Sequence, residues 1–220
     1  MNSVAAAWNA YAGEGLTARL HVAVRALTCP FGQVIDRFPT TGAVLDVGCG
    51  HGLLIHLLAR DPARGGLALH GIDHDAAKIA TAQRTARPGV AFSTMPLEAV
   101  PAAGYDAVSI FDVLYTVRRE VWPEILRGCH RALRPGGRLI VKEVIDRPRW
   151  KYWAIMAQET LSVSLLGITK GDPPHFESPE AYRRAILYAG FDIAEERPLA
   201  TASWISHYLF VGYKHPLSKT

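Results

Sequence analysis

The stretch Val44-Leu45-Asp46-Val47-Gly48-Cys49-Gly50-His51-Gly52 decides the fold. Apolar β-formers run up to an acid, break into alternating glycines, and give way between Leu53 and Arg60 to a helical pattern. A buried strand, a glycine loop and a helix N-terminus in that order let backbone approach a ligand closely, because no Cβ blocks it. The functional site is expected at this loop.

Working outward, Leu67-Ala68-Leu69-His70-Gly71-Ile72-Asp73 reads as a second strand that again ends in an acid. Asp73 lies about 20 residues beyond the glycines, the spacing at which a nucleotide-binding βαβ unit places a carboxylate on ribose hydroxyls. A helix over 75–86, strands over 90–93 and 105–112, a helix over 120–133 and a strand over 138–144 follow. The turn Arg134-Pro135-Gly136-Gly137 leads into the last of these. Such alternation predicts an α/β fold with a parallel sheet covered on both faces and ligands at the carboxyl ends of its strands. Ser178-Pro179-Glu180 then opens a helix that stops at Gly190, and Phe191–Arg197 and His207–Tyr213 read as two closing strands.

Residues 1–38 read as a helical arm of the same single domain, 1–220. Trp8 and Tyr11 in it are core aromatics or parts of a lid over the ligand, and Leu16 to Leu27 has helical spacing with Leu20, Val24 and Leu27 on one face. Residues 148–176 read as a helical insertion. Its apolar stripe, with Trp150, Trp153, Met156 and Leu161, fits either a cap over an acceptor site or a core or dimer face.

Composition narrows the function. At 220 residues and 49% hydrophobic content the chain can bury a real core without staples. The net charge is +4, yet there is no run of five basic residues, which argues against a dedicated nucleic-acid tail. Cys29, Cys49 and Cys129 are odd in number and widely spaced, as in a reducing compartment, and they suit neither disulfides nor a metal site. With no leader pattern and no apolar run of about 18 residues, the expectation is a soluble cytoplasmic protein, monomeric or homodimeric.

The glycine pattern separates cofactor classes. A nicotinamide or flavin fingerprint needs a third glycine where this chain has Leu53, and the Lys-Ser/Thr pair of a triphosphate-binding loop is missing. Residues 44–52 resemble instead the first motif of class I S-adenosylmethionine-dependent methyltransferases. The resemblance runs from about residue 40 to 213. Tyr105-Asp106-Ala107-Val108 and Val113-Leu114-Tyr115 are similar to the family's fourth-strand motif, Leu133-Arg134-Pro135-Gly136-Gly137 to its turn before strand five, and Ala189-Gly190-Phe191 to its approach to the last strands. It implies a three-layer sandwich around a mostly parallel, seven-stranded Rossmann-like sheet whose last strand is antiparallel.

The resemblance also implies a site. Gly48, Cys49, Gly50 and Gly52 cradle S-adenosylmethionine, Asp73 takes both ribose hydroxyls, and His74 lies beside adenine. The family often has an acid after strand three; Pro96 stands there, leaving Met95 and the Leu97 N–H to hold adenine. Asp46 either anchors the loop or meets the cofactor's ammonium, and Phe111 and Asp112 leave strand four toward the same cleft. The donor methyl is already activated, so placing an acceptor in line with it and excluding water suffices unless the acceptor holds a proton. For that case the candidate bases are Glu143, Tyr115, His175 and Tyr11. The family's Asn/Asp-Pro-Pro-aromatic motif for nucleobase amines is absent after strand four, where Phe111-Asp112-Val113-Leu114 stands. The expectation is therefore an enzyme methylating a small, apolar or aromatic acceptor at O, N or C and releasing S-adenosylhomocysteine, with no nucleic-acid partner. The alternatives are a catalytically silent scaffold of the same fold, or a nucleic-acid or protein methyltransferase.

Overall fold

The computed structural model describes residues 8–146, 175–200 and 205–216. In chain order these form α1 (Leu16–Thr28), β1 (Thr41–Val47), α2 (Leu53–Leu58), β2 (Gly66–Asp73), α3 (Ala76–Arg84), β3 (Val90–Thr94), β4 (Tyr105–Phe111), α4 (Trp122–Ala132), β5 (Leu133–Val144), α5 (Pro179–Tyr188), β6 (Phe191–Leu199) and β7 (His207–Lys214), with short 3-10 turns between. One seven-stranded sheet runs β3-β2-β1-β4-β5-β7-β6. β1 pairs parallel with β2 and β4, β2 with β3, and β4 with β5. β7 runs antiparallel to both of its neighbours, β5 and β6. This is the Rossmann-like sheet with an antiparallel last strand that the family resemblance implies.

Strand residues alternate between two apolar layers. Val44, Ala107, Ile140 and Leu209 join α2 and α3 on one face, whereas Leu45, Val108, Val141 and Phe210 join α4 and α5 on the other. Burying each such side chain stabilises the fold by about 1.5–3 kcal/mol, which is why β1 and β4 read as unbroken apolar runs rather than as alternating ones. Between α4 and α5, Trp122 stacks on Tyr182 with centroids 4.6 Å apart, and its indole N–H donates to the Leu114 carbonyl. The Asp75 carboxylate caps α3 by accepting from the Ala77 and Lys78 N–H groups. Ser178 precedes Pro179 at the start of α5 without a side-chain cap bond of its own.

The arm packs differently from its sequence pattern. Tyr11, Val22, Ala26 and Cys29 face the core, while Leu20, Val24 and Leu27 turn outward together with Leu16. A helical wheel finds an apolar face; which face meets the core is settled by tertiary contacts of the arm, Tyr11 to the His51 carbonyl and Arg25 to the Phe111 carbonyl. Trp8 is partly exposed, with the Arg19 guanidinium 4.0 Å from its ring centroid. The expected insertion at 148–176, apart from its last two residues, lies outside the described residues. No helix among the described residues is long and apolar enough to cross a membrane.

Candidate active site

The carboxyl ends of β1, β2 and β4 open into one cleft of about 490 Å³. Its floor is the glycine loop. The N–H groups of Gly48 and Cys49 both donate to the Ile72 carbonyl, at 2.9 and 3.0 Å, which splices the loop onto β2. Gly50 has φ +56°, and a Cβ built there would meet nothing nearer than Lys78 Cδ at 4.0 Å, so the space above it belongs to the cleft. Gly52 serves packing instead: a Cβ there would fall 2.5 Å from the Phe92 ring, and it does not border the cleft.

The two strand-end acids have separate tasks. Asp73 Oδ2 accepts from the Gly50 N–H at 2.8 Å, and Oδ1 accepts from the Asp75 N–H at 2.9 Å. Asp73 therefore anchors the loop, and it borders the cleft with exposed His74 beside it. Asp46 is buried, accepts from the Ser109 hydroxyl at 2.7 Å, and has its carboxyl pushed by burial up to about 7. It anchors β1 to β4 rather than the loop. Met95, Pro96 and Leu97 line the cleft's far side, as do Phe111 and Asp112 at the end of β4.

Asp112 sits at φ +60°, a left-handed conformation costing a non-glycine residue about 1–2 kcal/mol, held by a buried charge cluster. The Lys142 ammonium donates to Asp112 Oδ2 and also lies 3.2 Å from the Cys29 sulfur. Arg25 reaches over from α1, 3.3 Å from the same carboxylate and 3.0 Å from the Phe111 carbonyl. Burial works against the Asp112 charge, but Lys142 and then Arg25 outweigh it and hold the carboxyl below its ordinary value. His207 completes the cluster, its Nδ1 3.8 Å from Asp112 Oδ1, and burial pushes it down to about 3, which keeps it neutral.

Of the four candidate bases, Tyr115 borders the cleft. Glu143 lies beneath it, fully buried, with Oε1 accepting from the Val113 and Leu114 N–H groups at 3.1 and 3.0 Å. Burial, reinforced by Asp112, raises its carboxyl to about 8. Tyr11 is also fully buried; its hydroxyl donates to the His51 carbonyl and pins the arm to the glycine loop. His175 is exposed, and its N–H donates to the Tyr115 carbonyl at 2.7 Å. Sequence reasoning missed Arg25, His21 and Lys78, which border the cleft, and Lys142 under it. The signal for Lys142 was a charged pair, Lys142-Glu143, inside the apolar strand β5; Arg25 gave none, since arginines are common on helices.

A backbone cradle open above Gly50, a buried acid at Asp73 and apolar walls at Met95, Leu97 and Phe111 fit an adenosyl group carrying a charged methionine tail. The comparisons agree. Residues 44–137 match the family model described as "Methyltransferase domain". The chain is 29% identical over 185 residues to a ubiquinone biosynthesis O-methyltransferase of Psychrobacter arcticus, a match covering 80% of this chain and 71% of that protein. Its fold is similar to that of an S-adenosylmethionine-dependent methyltransferase from Methanosarcina mazei (TM-score 0.67, 16% identity, 84% of this chain and 97% of that one). It is also similar to that of geranyl diphosphate C-methyltransferase from Streptomyces coelicolor, solved with S-adenosylhomocysteine (TM-score 0.65, 15% identity, 84% and 76%). Loop, acids, sheet order and relatives converge: residues 44–137 match a methyltransferase domain, and the chain has the fold of the S-adenosylmethionine-dependent methyltransferases.

Proposed function

We propose that this enzyme methylates an oxygen of a small, largely apolar or aromatic acceptor that enters above the ends of β4 and β5. The observation carrying this reading is the cleft wall beyond the glycine loop, where Val22, Phe31, Phe111, Tyr115, Val117 and Ile125 stand around the mutually paired Arg25 and Asp112. The name of the Psychrobacter arcticus relative supports oxygen as the atom methylated.

When bound, S-adenosylmethionine supplies a methyl group on a positively charged sulfur. The residues here bind and orient. Gly48 and Gly50 would bring backbone against the methionine and ribose portions, the free lone pairs of Asp73 would accept from ribose hydroxyls, and His74, Met95, Pro96 and Leu97 would enclose adenine. Arg25 and Lys78, both at the cleft, offer cationic partners to a carboxylate, whereas Asp46 and Asp112 offer anionic ones to an ammonium. Tyr115, which lines the cleft, is the candidate to accept a hydrogen bond from an acceptor hydroxyl or to take its proton; Glu143, Tyr11 and His175, none of which borders the cleft, hold the surrounding loops instead. Excluding water is left to the apolar wall.

The test is transfer of labelled methyl from S-adenosylmethionine to a panel of hydroxylated aromatic and terpenoid compounds. Labelled methyl ethers in the organic phase are the expected result. Calorimetric binding of S-adenosylmethionine with no transfer to any acceptor class would instead make the chain a binding protein of this fold.

A further inference from the structure

Helix α1 has two faces, and one of them has no partner among the described residues. His21, Val22 and Arg25 border the cleft, and Ala26 joins the core. The opposite face carries Leu16, Leu20, Val24 and Leu27, exposed by 72, 57, 52 and 72%. A contiguous apolar stripe of this kind marks an interaction surface.

Its phase says what fits it. Leu16, Leu20, Ala23 and Leu27 are spaced four, three and four residues apart, the alternation of a heptad seam, with Val24 alongside. A seam this narrow suits one facing helix. A helix lying in a lipid surface carries a broader apolar face fringed by Lys and Arg. The basic residues of α1 are Arg19, stacked over Trp8, and Arg25, turned to Asp112. The spacing is also the same in both directions. Against an antiparallel copy of itself, Leu16 meets Leu27, Leu20 meets Ala23 and Val24, and the small Ala23 lets the two axes approach. Self-complementarity of that kind is what a two-fold axis requires.

We propose that α1 is a homodimerisation element: a second copy of this chain packs its own α1 antiparallel against Leu16, Leu20, Ala23 and Leu27 across a two-fold axis. The seam spans about 17 Å at about 1.5 Å per residue. Standard interfaces bury about 800 Å² per partner, so contact through α1 alone belongs to the smaller, reversible class. The other face of the same helix borders the cleft, so the partner copy braces the cofactor site from behind.

Sedimentation velocity on the full chain, from low micromolar to sub-millimolar concentration, tests this. The expected result is a monomer–dimer equilibrium. Leu20→Lys and Val24→Glu should each give monomer at every concentration while keeping the native circular dichroism spectrum and still binding S-adenosylhomocysteine. Mixed in equal amounts, the two variants should associate again, because Leu20 of one helix faces Val24 of the other. A wild-type chain that stays monomeric overturns the proposal, as does a dimer that survives both substitutions. Two further monomeric outcomes also overturn it. Pelleting with phosphatidylcholine–phosphatidylglycerol vesicles that Leu20→Lys abolishes assigns the stripe to lipid, and a melting temperature that falls steeply in Leu20→Lys assigns it to a segment of the same chain.

Discussion

Asp73 performs two tasks with one carboxylate, fixing the glycine loop through Gly50 and facing the cleft. Asp73→Ala removes both, and with charge-assisted hydrogen bonds worth about 1.5–3 kcal/mol each, affinity for S-adenosylmethionine should fall at least tenfold in calorimetry. Asp46 yields a subtler signature. Its carboxyl is pushed by burial up to about 7, and a cation placed beside it favours the ionised form. Binding the donor, whose ammonium would lie beside Asp46, should therefore release protons near neutral pH, and the product, which keeps that ammonium, should release them too; heats measured in buffers of different ionisation enthalpy count them. For Glu143 the folded value, about 8, lies above the ordinary 4.5, so between those limits the unfolded chain gives up a proton that the folded chain keeps. This contribution to stability is full below the lower value and declines as pH rises through the window. Glu143→Gln cannot titrate and can still accept from Val113 and Leu114. Urea unfolding across that window should show a flatter pH dependence in the variant, with methyl transfer retained. Position along the chain revealed that an acid stands at each strand end, since apolar runs stop there. It did not reveal which acid holds the loop, because that depends on hydrogen-bond partners dozens of residues away, such as Ser109 for Asp46.

At the scale of elements, strand–loop–helix units were readable because local signals agree: apolar runs, glycines at the loop, proline at the first turn of α5. The arm was only half readable. Its helix is a matter of local spacing, but its orientation follows from Tyr11 reaching His51 and Arg25 reaching the end of β4, contacts that no periodicity encodes. The third glycine of the loop shows the same divide. Gly52 looks like part of a ligand cradle in sequence, yet in space it marks where the start of α2 rests on Phe92 of β3. Gly52→Ala adds a methyl 2.5 Å from that ring at φ +81°. Overpacking of this kind costs about 1–3 kcal/mol and the left-handed backbone about 1–2 more. The melting temperature should fall by several degrees, and any loss of cofactor affinity should be smaller than that from Asp73→Ala.

For the whole molecule, the three-layer plan opens the cleft along one rim of the sheet, so a ligand that bridges the β1, β2 and β4 loops ties the layers together. At a concentration a hundredfold above its dissociation constant, such a ligand adds about 2.7 kcal/mol. In a chain of this size each kcal/mol moves the midpoint by about 2–4 °C, so S-adenosylhomocysteine should raise the melting temperature by about 5–10 °C in differential scanning fluorimetry. The order of strands also bears on how the protein is made. β7 lies between β5 and β6 but is synthesised after both, so on the ribosome β6 emerges with no neighbour to join, and β5 shows a bare edge of N–H and C=O groups. A nascent chain arrested before His207 should therefore be a sticky one, held by trigger factor or Hsp70-type chaperones until its final strand slides into the gap.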